Sequence, residues 1–237
     1  MTHPESITAM IHRPVANLFW GSALAVALLS SCSRTPIALP AISASDSILI
    51  VQDNLHHRAT VDSFFRSDPG SPFHRDSTIT YHGLNWFPID PRYRGLSVLH
   101  RYANPETVIV MGTRGEERRQ LRYGYFEIIV PGNDSTPTMI RLNAYKFTPH
   151  DGQRYVLFRD NLSVWFTDRT TGRETYHVGR YLEIGNEQAD TTHRYTIDLN
   201  KAFNPYCAYS SMYSCAVPRE EDHVPVALRV GEKPYHD

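Results

Sequence analysis

The chain is short of charge of either sign in excess. Its 24 Lys and Arg stand against 25 Asp and Glu, a formal net charge of −1. Such a balance supplies no basic field to hold nucleic acid. Glycine, at 13 residues, is too sparse for a collagen-like repeat, and 41% hydrophobic residues are too many for a disordered chain. Absent too are a Walker A loop, a Rossmann glycine fingerprint, and GxSxG, HExxH or paired CxxC motifs. Cysteine occurs three times only. What the chain does have is aromatic side chains, 14 of them Tyr, which suit the pleated surface of a sheet-rich core.

One long apolar run exists, VANLFWGSALAVALL from Val15 to Leu29. It falls short of the roughly 20 residues that span a bilayer as a helix. Arg13 precedes it and Leu29-Ser30-Ser31-Cys32 follows, the layout of a cleavable secretory signal over residues 1–31. The alternative is a transmembrane anchor with an incidental cysteine. Leu-Ser-Ser-Cys resembles the bacterial lipobox, in which the cysteine takes the lipid and becomes the mature N-terminus. Cys32 is therefore the expected lipidation site, and the bacterial cell envelope the expected location. Ser33, rather than Asp, follows it, which resembles the default sorting to the outer membrane of a host that has one. The stretch before Arg13 holds Glu5 and no other Lys or Arg, so Met10-Ile11-His12-Arg13 makes the more ordinary start of translation. Residues 32–46, rich in Ser, Thr, Pro and Ala, read as a flexible tether.

Residues 47–237 read as one β-rich domain. The spacing of Ile48, Val51, Leu55, Ala59, Asp62 and Phe65 predicts a helix over Ser47–Phe65, capped by Ser45 or Asp46 and stopped by Asp68-Pro69-Gly70. Period-two patterning then predicts strands at Ser97–Tyr102, Thr107–Gly112, Gln120–Val130, Thr138–Phe147, Val156–Phe158, Ser163–Thr167, Glu174–Ile184, Arg194–Asn200 and Val224–Val230. Many short strands joined by close turns mean a mainly β fold: an antiparallel small barrel or sandwich, with the N-terminal helix packed on it.

The segment Thr171-Gly172-Arg173-Glu174-Thr175-Tyr176-His177-Val178-Gly179-Arg180-Tyr181-Leu182 resembles the TSGxxTYxxGRYL segment of a bacterial and archaeal family, domain of unknown function 1684. The likeness continues through Asp198–Ser210, ends in Val224–Lys233, and extends upstream to Phe64-Phe65, Ser71-Pro72-Phe73 and Asn85–Asp90. It departs at Cys215–Asp222, where the family reads like CPLPPxEN: Asp222 stands for an Asn, and Ala216 and Arg219 for prolines. The resemblance implies the domain rather than a chemistry.

Alternation supplies the candidate pocket. An Arg on the more apolar face of Glu174–Ile184 needs an anionic partner once buried. Glu127 shares its predicted face with Leu121, Tyr123, Tyr125 and Ile129, so Glu127 and Arg180 are expected to meet inside the fold, with Tyr123 and Tyr176 nearby. Such a pair is either a structural ion pair or an anion-reading pocket with a tuned carboxylate. Asp198, Asn200 and Asn204 complete the candidate set, with loop architecture as their plainer role. Gly231-Glu232-Lys233 reads as an exposed C-terminal turn. Cys207 and Cys215 are expected to form a disulfide, since lipid consumes the third cysteine and export places the pair in an oxidising compartment. The rivals are two free thiols or a zinc site with His223, whose spacing is wide of common zinc patterns. No metal or cofactor is otherwise expected, and His56-His57 read as solvated. Two functions stay open: an envelope lipoprotein whose domain binds a small ligand or partner, and a hydrolase- or isomerase-type enzyme with Glu127 or Asp198 as base and Arg180 on an anionic group.

Overall fold

The computed structural model describes residues 37–236. The signal segment, Cys32 and the choice between Met1 and Met10 lie outside them. The first element, α1 (Ala44–Ser67), starts inside the segment read as tether, because Ser43 caps it: its Oγ accepts from Asp46 N–H at 3.0 Å. Asp68 ends it, as the Asp-Pro-Gly stop requires. Of the expected stripe, Phe65 is buried and Val51 and Asp62 are half-buried, while Ile48, Leu55 and Ala59 are exposed. Asn54 and Phe65 are its buried residues, whereas Ile48 and Leu55 are more than half exposed. The helix docks through polar bonds as well as through Phe64 and Phe65. A short helix, α2 (Pro72–Arg75), follows.

Eight strands make up the rest of the frame: β1 (Arg94–Val98), β2 (His100–Met111), β3 (Glu117–Pro131), β4 (Pro137–Phe147), β5 (Asn161–Asp168), β6 (Arg180–Asn186), β7 (Arg194–Asp198) and β8 (His223–Val224). β2-β3-β4-β5-β6 form an antiparallel run, with β8 paired in parallel on β5. β1 and β7 form a separate antiparallel pair. The class is the expected one, mainly antiparallel β with an N-terminal helix packed on it. The arrangement is sandwich-like, and the sheet does not close into a barrel.

Four expected strands differ. Ser97–Tyr102 is divided at Leu99 between the end of β1 and the start of β2. Val156–Phe158 belongs to a short helix, α3 (Gln153–Phe158), entered through Gly152. Only Arg180 onward of Glu174–Ile184 is strand, because Gly179 at φ 117° breaks the extended run. Beyond Val224 the C-terminal segment is buried at alternate residues without pairing in a sheet.

Core placement follows from strand phase. Phe126, Ile128 and Val130 of β3 face Ile140 and Leu142 of β4, Val164 and Phe166 of β5, and Ile197 of β7. Val224, Val226, Leu228 and Val230 close this core from the chain's end. Trp165, on the opposite face of β5, packs with Tyr145, Val108, Val110 and Ala216 in a second cluster. A bulge inserts Tyr123 between the paired Arg122 and Gly124. Gly124 is required there, since a Cβ would stand 2.5 Å from the His100 carbonyl oxygen.

Candidate functional site

Arg180 opens β6 opposite Phe166 and is 1% exposed. Its partner is Asp168, at the end of β5: Nη2 donates to Oδ2 at 2.9 Å. Nη2 also donates to the Leu228 carbonyl at 2.8 Å, and Nη1 to the Val230 carbonyl. Burial lowers the guanidinium pKa, and the Asp168 charge opposes that shift. Asp168 is occupied on its other side by Thr170 N–H and Oγ1 and by Leu228 N–H. The arrangement clasps the C-terminal segment onto the sheet and leaves only the buried Arg180 Nε without an acceptor.

The expected Glu127–Arg180 meeting does not occur. The buried phase of β3 runs through Phe126, Ile128 and Val130, so Glu127 points outward and pairs with Arg141 at 2.9 Å. Tyr123 donates to Glu187 at 2.8 Å, in a cluster with Lys146 and Arg101. Tyr176 lies in the turn before β6, in the aromatic cluster of Phe65, Phe73, Tyr209 and Tyr235, and its hydroxyl donates to the Cys207 carbonyl at 3.2 Å. The four groups expected in one pocket are therefore spread over four environments.

Asp198, Asn200 and Asn204 are all buried. Asp198 accepts from Asn54 Nδ2 at 2.8 Å and from the N–H and Nδ2 of Asn200. Asn200 exchanges bonds with the backbone of Asp90. Asn204 donates through its backbone N–H and its Nδ2 to Glu232, each at 2.9 Å. Glu232, read from the sequence as part of an exposed turn, is 1% exposed and also takes the Tyr209 hydroxyl. Burial pushes its carboxyl up to about 7. Gly231 permits this approach: at φ 78° a Cβ would lie 2.6 Å from the Ala202 carbonyl oxygen. His57, expected in solvent, is half-buried, and loss of solvation lowers its pKa.

A cleft none of these residues predicted lies beside β5 and β6. It measures about 430 Å³ and is lined by Trp165, Tyr181, Phe147 and Phe203, with Ser214, Cys215 and Ala216 on one wall. Two smaller hollows, of about 340 and 150 Å³, share Glu183 and Phe203 with it, and His57 lines both. Glu116 at the rim is held by Arg118 and by Ser214, which keep its pKa down at about 2. Asp151 is used in capping its own turn, accepting from Thr148 N–H at 2.7 Å. Glu183 and Arg154, by contrast, have no hydrogen bond or ion pair among the described residues, and the buried indole Nε1 of Trp165 has no acceptor. The alternation of β6 placed Glu183 on the outward face. That it stayed unpaired was not visible in sequence.

Cys207 and Cys215 are free thiols that touch: Cys207 N–H donates to Cys215 Sγ at 3.2 Å. The Cys215 thiol and the Tyr176 hydroxyl, hydrogen-bonding to Cys207, lower its pKa, while that same bond and burial raise Cys215.

The family model described as Protein of unknown function (DUF1684) matches residues 79–233. The chain belongs to the DUF1684 family. The matched range begins after α1 and α2, and takes in all eight strands, the cleft and the Arg180 clasp. A solved relative, the solution structure of an uncharacterised protein of Haloarcula marismortui, is 28% identical. The likeness covers 77% of this chain and 92% of the relative, with a TM-score of 0.51. Curated proteins give no match.

Proposed function

We propose that this DUF1684 protein is a membrane-tethered binding protein, anchored through Cys32, whose cleft takes a small ligand with an apolar body and polar ends. The observation that carries the reading is the cleft's chemistry. An aromatic and aliphatic lining is combined with one unengaged carboxylate, Glu183, and one unengaged guanidinium, Arg154. A concave, mostly apolar site with few convergent polar groups is the usual form of a ligand pocket. The catalytic alternative rested on Glu127, Asp198 and Arg180, and each of these is consumed by partners elsewhere.

Two experiments test the two halves. A thermal-shift screen of metabolites against the full chain should find a stabilising ligand. Its effect should fall in Glu183→Gln or Arg154→Gln, both changes at exposed positions. Stabilisation unaltered in both variants would place binding elsewhere. For the anchor, Cys32→Ala should release the protein from membranes or leave it uncleaved, whereas unchanged partition and mass would refute lipidation.

A further inference from the structure

The smaller hollow between α1 and residues 203–209 has a chemistry of its own. Phe64 and Phe65 of α1 line it on one side, and Phe203, Tyr206 and Tyr209 on the other. At about 150 Å³ it is smaller than the roughly 300 Å³ at which pockets for drug-sized ligands begin. His57 also lines it, and the imidazole Nε2 is buried without a hydrogen-bond partner among the described residues. Loss of solvation lowers the His57 pKa, so the ring is neutral at pH 7. With the proton on Nδ1, Nε2 presents a lone pair to an N–H donor.

The charges in the hollow are unbalanced. Glu183 and Glu232 line it, and no Lys or Arg does. Glu232 is taken up by Asn204 and the Tyr209 hydroxyl, whereas the exposed Glu183 side chain has no partner among the described residues. In the adjoining hollow of about 340 Å³, Arg94 and Lys201 are both engaged by Asp53, and Arg94 also lies 3.6 Å from Asp198. Glu183 is thus an uncompensated negative charge beside an aromatic lining, and aromatic rings attract a cation placed over their faces.

We propose that this hollow binds the ammonium head of a small organic amine, which donates to His57 Nε2 and pairs with Glu183 among the aromatic rings. The site goes beyond the cleft reading and does not depend on it: it shares Glu183 and Phe203 with the cleft, but holds its ligand against α1. An anionic ligand would meet Glu183 and no cation. An uncharged apolar one would leave the His57 nitrogen unpaired. An alkylammonium ion meets both needs, with N–H groups for the imidazole and the carboxylate and an alkyl chain for the rings.

The test titrates the full chain with n-butylammonium chloride at pH 7 in a calorimeter, and with sodium pentanoate, which carries a carboxylate on the same butyl chain. Butylammonium should bind saturably and pentanoate should not. Glu183→Gln should weaken the amine by about tenfold, the contribution of one charge-assisted hydrogen bond. His57→Leu should weaken it comparably. Glu220→Gln, an equal loss of charge at an exposed position outside the hollow, should leave the affinity unchanged. No saturable binding of butylammonium, equal binding of pentanoate, or an affinity unmoved in both Glu183→Gln and His57→Leu overturns the inference. So does equal weakening in Glu220→Gln, which would reduce the effect to net charge. Should His57→Leu fail to fold, Glu183→Gln alone decides, because it alters only an exposed side chain. Arg154 lines the cleft and not the hollow, and His57 the hollow and not the cleft. Loss of a cleft ligand in Arg154→Gln and loss of the amine in His57→Leu therefore report on the two sites separately.

Discussion

Asn54 donates its side-chain N–H to Asp198 Oδ2 at 2.8 Å across a separation of 144 residues, with both groups buried. This bond ties a polar position of α1 into the interior beside the aromatic contacts of Phe64 and Phe65. Asp198 already holds the turn after β7 through Asn200, and it also lies 3.6 Å from Arg94. Its remaining lone pair needs a donor, and the helix provides it.

Asn54→Leu should therefore destabilise the domain, by about 1–3 kcal/mol, because a buried acceptor loses its donor. Leu55→Gln, one residue on, should stay within about 0.5 kcal/mol, as exposed substitutions do. Denaturant midpoints of the two variants decide the matter. The opposite order would mean that the helix docks on its apolar stripe after all.

Arg180→Ala removes one partner of a pair whose side chains are both 1% exposed. The expected cost is about 3–5 kcal/mol, most of it from leaving Asp168 buried and unpaired. Arg173→Ala, exposed in the preceding turn, should cost less than about 1 kcal/mol. Equal midpoint shifts in the two variants would refute the clasp.

Glu232 makes stability depend on pH. Its carboxyl is raised from the ordinary 4.5 to about 7 by complete burial. Between those values the folded protein holds a proton that the unfolded chain has lost, so the stability from this group is fully present below pH 4.5 and lost as pH rises through 7. The span corresponds to about 3 kcal/mol. Measured unfolding free energies should fall from pH 5 to pH 8, with a shallower fall in Glu232→Gln. A slope that survives the substitution would assign the effect to another group.

On the proposed export of the chain, Cys207 and Cys215 should close into a disulfide, oxidised by a thiol–disulfide exchange partner, because an oxidising compartment favours the closed form. Alkylation before reduction should leave both cysteines unmodified, with an intact mass lower by two hydrogens. The bond would close a short loop and add about 2.5 kcal/mol in the chain-entropy model. Two alkylatable thiols in freshly isolated, unfolded protein would refute it, and bound zinc would support the rival with His223.

The class of fold was legible because alternation and turn residues report directly on strands: β3, β4 and β5 lie close to where period two placed them. The phase of burial was harder to read. In β3 both parities carry large apolar groups, Leu121, Tyr123 and Ile129 on one side and Phe126, Ile128 and Val130 on the other. Hydrophobicity alone could not choose between them, and Glu127 went to the wrong side. Arg180 announced its own burial by sitting in an apolar run. Its partner did not, because Asp168 looked like an ordinary turn residue before Thr170 and Gly172. Glu232 was hidden for a related reason, as a charged residue between Gly and Lys near a chain end carries no local sign of burial. The cleft was illegible altogether, being assembled from β5, β6, Phe203 and the loop at Ser214–Ala216, which no sequence window contains.

The C-terminal segment has one further consequence. Val224, Val226, Leu228 and Val230 complete the main core, and Glu232 ties that end to Asn204 and Tyr209. α1, at the other end of the described chain, depends on Asp198. The main core is thus finished only by the C-terminal segment, although β2 to β6 pair as neighbours in sequence. A chain lacking residues 224–232 would leave the main core open along that whole wall and Asn204 and Tyr209 without their shared carboxylate.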